Sequence, residues 1–454
     1  MVPHTKESGS LLMVALFLIL GIGALVAAMA RMSGVETLET IEVIHGGRAL
    51  FLAESGMENA KYRLVAQSCS LVGLTLPVTG QLAVGESFSV GITSLGNNQF
   101  QFDATGTMGS SQRKIREMVT CTVQGMWDAG IVGCQGINLN GNVHINSVNS
   151  SVSMANLLGH GHIRTIHANA PITLNGNVEE HGNVTTTGSG SNLNLVGNST
   201  VYADAKVTGT ISLQPNTHIL GSSSSGVAAT TTSADCDPLG VTALVSGQLS
   251  AAVPAGTATA YSWTGNGAFV AAVTYYATSF SLGSNRTMNM VGPGNYVIYV
   301  TGGGNLSIAG NAVFNVTNGA NLTIYMSGGG TFSVGGNGVL NLLNGSTLTL
   351  YTTGPVDIQG NGLANAGLPI HFRIYDSYSG ATALRLGGNA QLNGVIYAPL
   401  MPISMGGNPG VIGAVRGASI SNNGNVAFNY DEALGLLDEG GKSVVTMGSW
   451  QELY

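Results

Sequence analysis

Nine times between residues 131 and 430 the chain writes a few alternating apolar residues and then Gly-Asn. Typical units are INLNGNVHINS, ITLNGNVEEHG, LSIAGNAVFNV, FSVGGNGVLNL and LRLGGNAQLNG, and the nine asparagines are Asn142, Asn177, Asn198, Asn311, Asn337, Asn361, Asn389, Asn408 and Asn425. From Asn311 onward they follow one another at intervals of 26, 24, 28, 19 and 17 residues. Self-similarity at a period of about 20 residues or more marks a solenoid or an array. Alternation places the apolar side chains on one face of a strand. Gly and Asn both tolerate positive φ, so the pair bends the chain into a second short strand. One unit cannot bury its own apolar face, but stacked units share a core and pair into parallel sheets. The pattern predicts a parallel β-helix over 128–430, with the corner asparagines bonded to the backbone of neighbouring coils. Propeller blades need about 40–50 residues each, too many for the late intervals. Calcium-binding nonapeptide repeats need aspartates that these units lack. A β-sandwich is the remaining alternative.

The repeats are interrupted at 221–256 by a Ser/Thr/Ala-rich stretch. Asp237-Pro238 then opens a short predicted helix running to about Ala251, with Asp as N-cap and Pro at the first helical position. This reads as an excursion that covers the side of the solenoid. Residues 431–454 read as a cap on the last coil and a polar tail, because an open end would expose strand edges.

The N-terminus is of another kind. Residues 10–30, SLLMVALFLILGIGALVAAMA, carry no charge and are long enough to cross a bilayer as a helix. Helix formers continue to residue 66, with apolar positions at Val35, Leu38, Ile41, Leu52, Met57, Ala60 and Leu64 and one weak point at Gly46-Gly47. A continuous helix over this span measures about 84 Å at 1.5 Å per residue. Region 67–127 changes to short alternating runs, SFSVGITS, QFQFDATGT and IREMVTCTV, which predict a small antiparallel sheet. Arg113, Lys114 and Arg116 form the densest basic run and are expected on a solvated edge that blocks further pairing.

These N-terminal residues resemble a family. KESG followed by SLLMVALFLIL resembles a prepilin peptidase site, with residues 1–9 as leader and cleavage between Gly9 and Ser10. RALFLAESGMENAKYRL resembles the stem of PilX-type minor pilins and their type II secretion relatives, and GVIYAP with NVAFNYDEAL resembles the Gly-Asn-repeat domains attached to such stems. Major pilins carry a glutamate at the fifth mature position; here it is Val14, as in pilins that sit at a filament tip. The resemblance implies a type IV pilus assembly protein, processed and methylated at its N-terminus and bacterial in origin. It would be held in the inner membrane before assembly and partnered by other pilins through its stem. The resulting fold class is mainly β with a long N-terminal α-helix: a pilin-like stem and small antiparallel sheet, then the β-helix.

Composition limits the chemistry. Only 8% of residues are charged, 67 are glycine and the net charge is −7; ordinary soluble proteins carry roughly 25% charged residues. Without a basic patch, nucleic acid is not a partner to expect. Acidic residues in 128–430 are few and scattered, which does not suit the clustered carboxylates of polysaccharide-cleaving β-helices. His371 and Arg373 of HFRIYD are expected on one strand face, with Asp376 in the same segment, as a solvated strand. Thr-rich strands such as VTTTG and STLTLY lack the in-register array that an ice-binding face needs. His160, His162 and His167, with His144 and His181 on neighbouring units, are the only candidates for a transition-metal site, and no resident cofactor is expected. Four cysteines, Cys69, Cys121, Cys134 and Cys236, allow three disulfide pairings or free buried thiols. Cys121 with Cys134 is the preferred pair, because they flank the junction between the small sheet and the repeats.

The expected function is non-enzymatic: a minor-pilin-like surface protein whose solenoid projects as an adhesive or structural module toward a surface glycan or another cell. The rivals are a membrane-anchored carbohydrate-active β-helix enzyme and a tethered stalk that enters no pilus.

Overall fold

The computed structural model describes residues 10–66, 69, 71, 74–96, 99–124, 126–254, 256–262, 267–269, 274–290, 292–436 and 442–453. The chain divides into two compact units, Met1–Val123 with Lys442–Tyr454, and Gln124–Gly441. In sequence the second unit is therefore an insertion into the first.

In the first unit a single helix, α1 (Ser10–Ala66), runs unbroken through Gly46-Gly47. Its later part buries Ala49, Leu52, Ala53, Met57, Ala60 and Leu64, an i, i+3, i+4 stripe. The stripe packs on a five-stranded sheet ordered Val78–Ala83, Glu86–Gly96, Gln99–Met108, Ser111–Gln124, Lys442–Leu453. Phe100, Phe102 and Ala104 alternate toward the helix. Gly106 follows them where a Cβ would collide with the Ala49 carbonyl, so helix and sheet approach closely there. Two expectations are corrected. Residues 442–453 are a strand of this sheet, where a polar tail was expected. They pair beside Ser111–Gln124, so the basic run is not on an edge, and Arg113 reaches Glu452 at 3.3 Å while Arg116 holds Asp103 at 2.6 Å.

The second unit is a parallel β-helix, as the repeats predict. Its inward row runs Ile308, Val334, Ile358, Leu386, Met405, Asn422, Leu139, Leu174, Leu195 and Leu213, each in register with the next. That order is not the order of the chain. The chain enters the solenoid at Ile131–Gly133 and Ile137–Val148 and winds through Ile172–Glu180 and Leu193–Gly197 to Ile211–Leu213 and Ser223–Ser225. Residues 226–256 then carry it back to Thr259–Ser262. From there it winds toward Ile420–Asp431, which pairs in parallel with Ile137–Val148 over twelve registered positions. The last coil is therefore covered by the first, and no separate cap is needed at that point.

The returning segment runs over an outward row of stacked tyrosines. Tyr276, Tyr299, Tyr325, Tyr351, Tyr375 and Tyr397 stand in register on successive coils, with neighbouring rings 5.3–6.3 Å apart. Helix α2 (Val241–Ala251) buries Val241, Val245 and Leu249, and the Tyr299 hydroxyl donates to the Leu249 carbonyl. The sequence placed the start of this helix at Asp237. It starts after Gly240, and Asp237 caps it from four residues upstream, accepting the Val241 N–H at 2.9 Å. Asp237 also accepts the Tyr397 hydroxyl at 2.7 Å.

Candidate functional site

The stem is the first candidate. Met13–Met32 has a mean hydropathy of 2.6 and is long and apolar enough to cross a membrane. Farther along, Val43, Ile44 and Phe51 are 74%, 54% and 66% exposed, on the side of α1 away from its buried stripe. Beneath that stripe the Lys61 ammonium lies 2.7 Å from Glu117 and 2.9 Å from Glu58. Burial alone would lower the Lys61 pKa; hydrogen bonds and charge from the two glutamates outweigh it and raise it. Of the expected processing pair, Ser10 opens α1, and Gly9 lies outside the described residues along with the rest of 1–9.

The corner predicted from Gly-Asn is present in every unit. Gly197, Gly310, Gly336, Gly360, Gly388 and Gly407 have φ between +67° and +82°. A Cβ on Gly360 would also run into the Gly336 carbonyl, so the corner requires glycine twice over. The asparagine side chains bond to each other, where backbone partners were expected. Asn311 donates to Asn285 at 2.7 Å, Asn337 to Asn311 at 2.9 Å, Asn425 to Asn408 at 2.9 Å and Asn177 to Asn142 at 2.7 Å. It is the asparagine backbone N–H that reaches the previous coil, as Asn389 does to the Gly360 carbonyl at 2.9 Å.

The charged residues of the solenoid gather where the last coil meets the first, and there they are spent on one another. Ser150 gives its N–H and hydroxyl to Asp431 at 2.9 and 2.6 Å, and Ser147 gives its hydroxyl to Glu432 at 2.6 Å. Arg164 grips Asp128 with two bonds of 2.5 Å, and the Tyr430 hydroxyl donates to the Trp127 carbonyl. Arg416, 2% exposed, donates to the carbonyls of Asp235, Cys236 and Met126. Burial pushes its guanidinium down to about 10.

The histidines separate in the same way. His160 pairs with Glu432 at 2.8 Å, His144 with Glu179 at 2.9 Å, and His162 accepts the Asn183 N–H. His181 stacks on Tyr202 with centroids 4.2 Å apart. Burial lowers the His162 pKa, reinforced by the neighbouring His160. His167 joins none of these pairs, although its backbone N–H bonds to the Cys134 carbonyl. Among the described residues no group of His, Cys, Asp or Glu is placed to hold a metal ion.

The disulfides correct the preferred pairing: Cys69 bonds Cys121, and Cys134 bonds Cys236. Cys121 and Cys134 are close in sequence, but each is buried in the core of its own unit. Cys121 lies against the start of the sheet region, and Cys134 lies beneath the returning segment. HFRIYD is corrected as well. Pro369–His371 is a helical turn outside the strand Phe372–Asp376, so His371 and Arg373 share no strand face. Asp376 points into the core.

Sequence reasoning missed two buried acids. Glu180 and Asp376 are each 0% exposed, and burial pushes both carboxyls well above the usual range. It also missed the seam, for which a signal existed. Asn-Gly-Asn-Val occurs at 140–143, 175–178 and 423–426, on the three strands that lie side by side there.

Residues 329–437 match a family described as a domain of unknown function (DUF7305). No curated protein matches this sequence. The competence-associated pilin ComZ from Thermus thermophilus is a similar solved structure. It is 11% identical, with 90% of this chain and 97% of that chain covered and a TM-score of 0.35. An ice-binding protein from an Antarctic bacterium, Flavobacteriaceae, is 10% identical over 66% of this chain and 96% of that chain, with a TM-score of 0.12. Likenesses this loose transfer neither function nor site.

Proposed function

We propose that this chain is a minor-pilin-like surface protein: α1 enters a type IV pilus or a related filament, and the β-helix projects as an adhesive module. One observation carries the reading. A helix apolar on every side over Met13–Met32 continues without a break into a half that packs on an antiparallel sheet, and an unoccupied apolar side persists at Val43, Ile44 and Phe51. Such a helix is suited first to a bilayer and then to the packed interior of a filament. Val14 at the fifth position after Ser10 fits a subunit at the tip. In this reading the solenoid performs no covalent chemistry, and its seam carboxylates are structural. Its partners are other pilins through α1, and a glycan or cell surface through the solenoid. The test is mass spectrometry of the mature N-terminus together with fractionation of sheared filaments. A chain that begins at Ser10 and sediments with filaments supports the proposal. An intact Met1 found only in the envelope overturns it in favour of a tethered stalk.

A further inference from the structure

Most coils of the solenoid turn from strand to strand in a few residues, but two departures from the coil converge on one place. The first is 149–162, between Ile137–Val148 and Ile163–Thr165. The second is 366–371, between Leu363–Asn365 and Phe372–Asp376. Long irregular loops on a repetitive scaffold are where binding sites are built. The first loop is fixed at both ends, by Ser150 on Asp431 and by His160 on Glu432. Between those anchors Val152 and Leu157 are 82% and 61% exposed.

Met154 of this loop, together with Leu363, Ala366, Leu392, Asn393 and Ile412, lines a depression of about 330 Å³. Asn365 and Gln391 complete its wall. The lining is mainly apolar with a few amides, the composition of a small-ligand site, and its volume lies at the lower end of the usual ~300–1,000 Å³. Asn393 is 8% exposed. Its Nδ2 donates to the carbonyls of Asn365 at 3.0 Å and Gly367 at 2.8 Å, while its Oδ1 has no partner among the described residues. A buried acceptor left unpaired costs about 1–3 kcal/mol unless something donates to it.

We infer that this depression holds an N-acetylhexosamine unit of a surface glycan. An acetamido group carries a methyl for the wall of Leu363, Leu392 and Ile412, and an N–H for the Asn393 oxygen. A plain hexose offers no such methyl. The exposed Gln391 amide at the rim supplies a donor for the acetamido carbonyl. The inference rests on the reading of the solenoid as an adhesive module and names the sugar that it takes.

The experiment is saturation-transfer NMR on the detergent-solubilised full chain, with di-N-acetylchitobiose as probe and cellobiose as the control without acetamido groups. The acetamido methyl protons are expected to take the strongest saturation, with cellobiose at background. Ile412→Trp, which fills the depression, is expected to weaken binding at least tenfold. Gln391→Trp at the exposed rim does the same without touching the core, and so keeps the test valid should the first variant fold poorly. Equal saturation of both sugars, no saturation of either, or undiminished binding by a folded filled variant overturns the inference. A chain that binds no acetamido sugar yet enters filaments and attaches cells to surfaces removes this site and leaves the adhesive reading standing. Chitobiose binding by a chain absent from filaments does the reverse.

Discussion

Asn425 and Asn142 stand in register on adjacent parallel strands although 283 residues separate them in the chain. That pairing closes the solenoid, because the last coil is completed by the first. Closure is non-local and its loop entropy must be met by the contacts made there. Asp431, 1% exposed, holds the Ser150 N–H and hydroxyl across this seam. Asp431→Ala is expected to cost about 2–3 kcal/mol, the range for losing hydrogen bonds to a buried charge. Thermal unfolding followed by circular dichroism measures it. A variant that melts with the wild type would show the latch to be idle.

Glycines in one repeat differ sharply in what they are for. Gly360 has φ +71° and packs on the Gly336 carbonyl, whereas Gly406 meets nothing within 4 Å of an added Cβ. Gly360→Ala combines left-handed backbone strain of about 1–2 kcal/mol with a backbone collision, and is expected to abolish cooperative folding or cost more than about 3 kcal/mol. Gly406→Ala is expected to fall within about 1 kcal/mol of wild type. Paired denaturant titrations decide it, and equal losses would refute the distinction.

The strand-and-corner unit was legible because it is local: alternation followed by Gly-Asn determines what each coil does. The order of the coils was not legible, since every unit can stack on every other. Only the repetition of Asn-Gly-Asn-Val on the three strands at the seam marks which belong together. Asn422 is the polar member of the inward row at that point, 2% exposed and bonded through Nδ2 to the Asn140 carbonyl. A buried amide that can be satisfied in one register favours that register. Cys121 and Cys134 misled because nearness in sequence says nothing about which core each side chain enters. The basic run misled because its covering strand, Lys442–Leu453, arrives from the far end of the chain.

Glu180 and Asp376 give the solenoid an unusual dependence on pH. Both carboxyls are pushed above their ordinary values of 4.5 and 3.8 by burial, and only in part offset by the N–H groups of Gly182 and Tyr378. The folded state therefore binds protons more tightly than the unfolded chain. Their contribution is fully present below about pH 4 and is lost as pH rises from the ordinary carboxylate range toward the folded values. Glu180→Gln and Asp376→Asn remove the ionisation. Each variant is expected to match wild type at pH 4 and to exceed it by about 1–3 kcal/mol at pH 8, the scale of an uncompensated buried polar group. Melting curves across that range test the sign. A gap that narrows as pH rises would contradict it.

The return segment is tied down at one point by two different means. Cys134 of the first coil is bonded to Cys236, and Arg416 of the neighbouring strand donates to the carbonyls of Asp235 and Cys236. The disulfide spans 102 residues of sequence, and cross-linking a loop of that length stabilises by roughly 2–5 kcal/mol through the unfolded state. Arg416→Met leaves three carbonyls without their donor but keeps the bulk of the side chain. Because both act on the same few residues, their effects should not add. Cys134→Ser with Cys236→Ser, Arg416→Met, and the triple variant form a double-mutant cycle read by denaturant unfolding. The cycle is expected to show a coupling of about 1 kcal/mol or more, since freeing the segment at either tie loosens the other. Strict additivity would mean that the segment is held mainly elsewhere, by the row of tyrosines beneath α2.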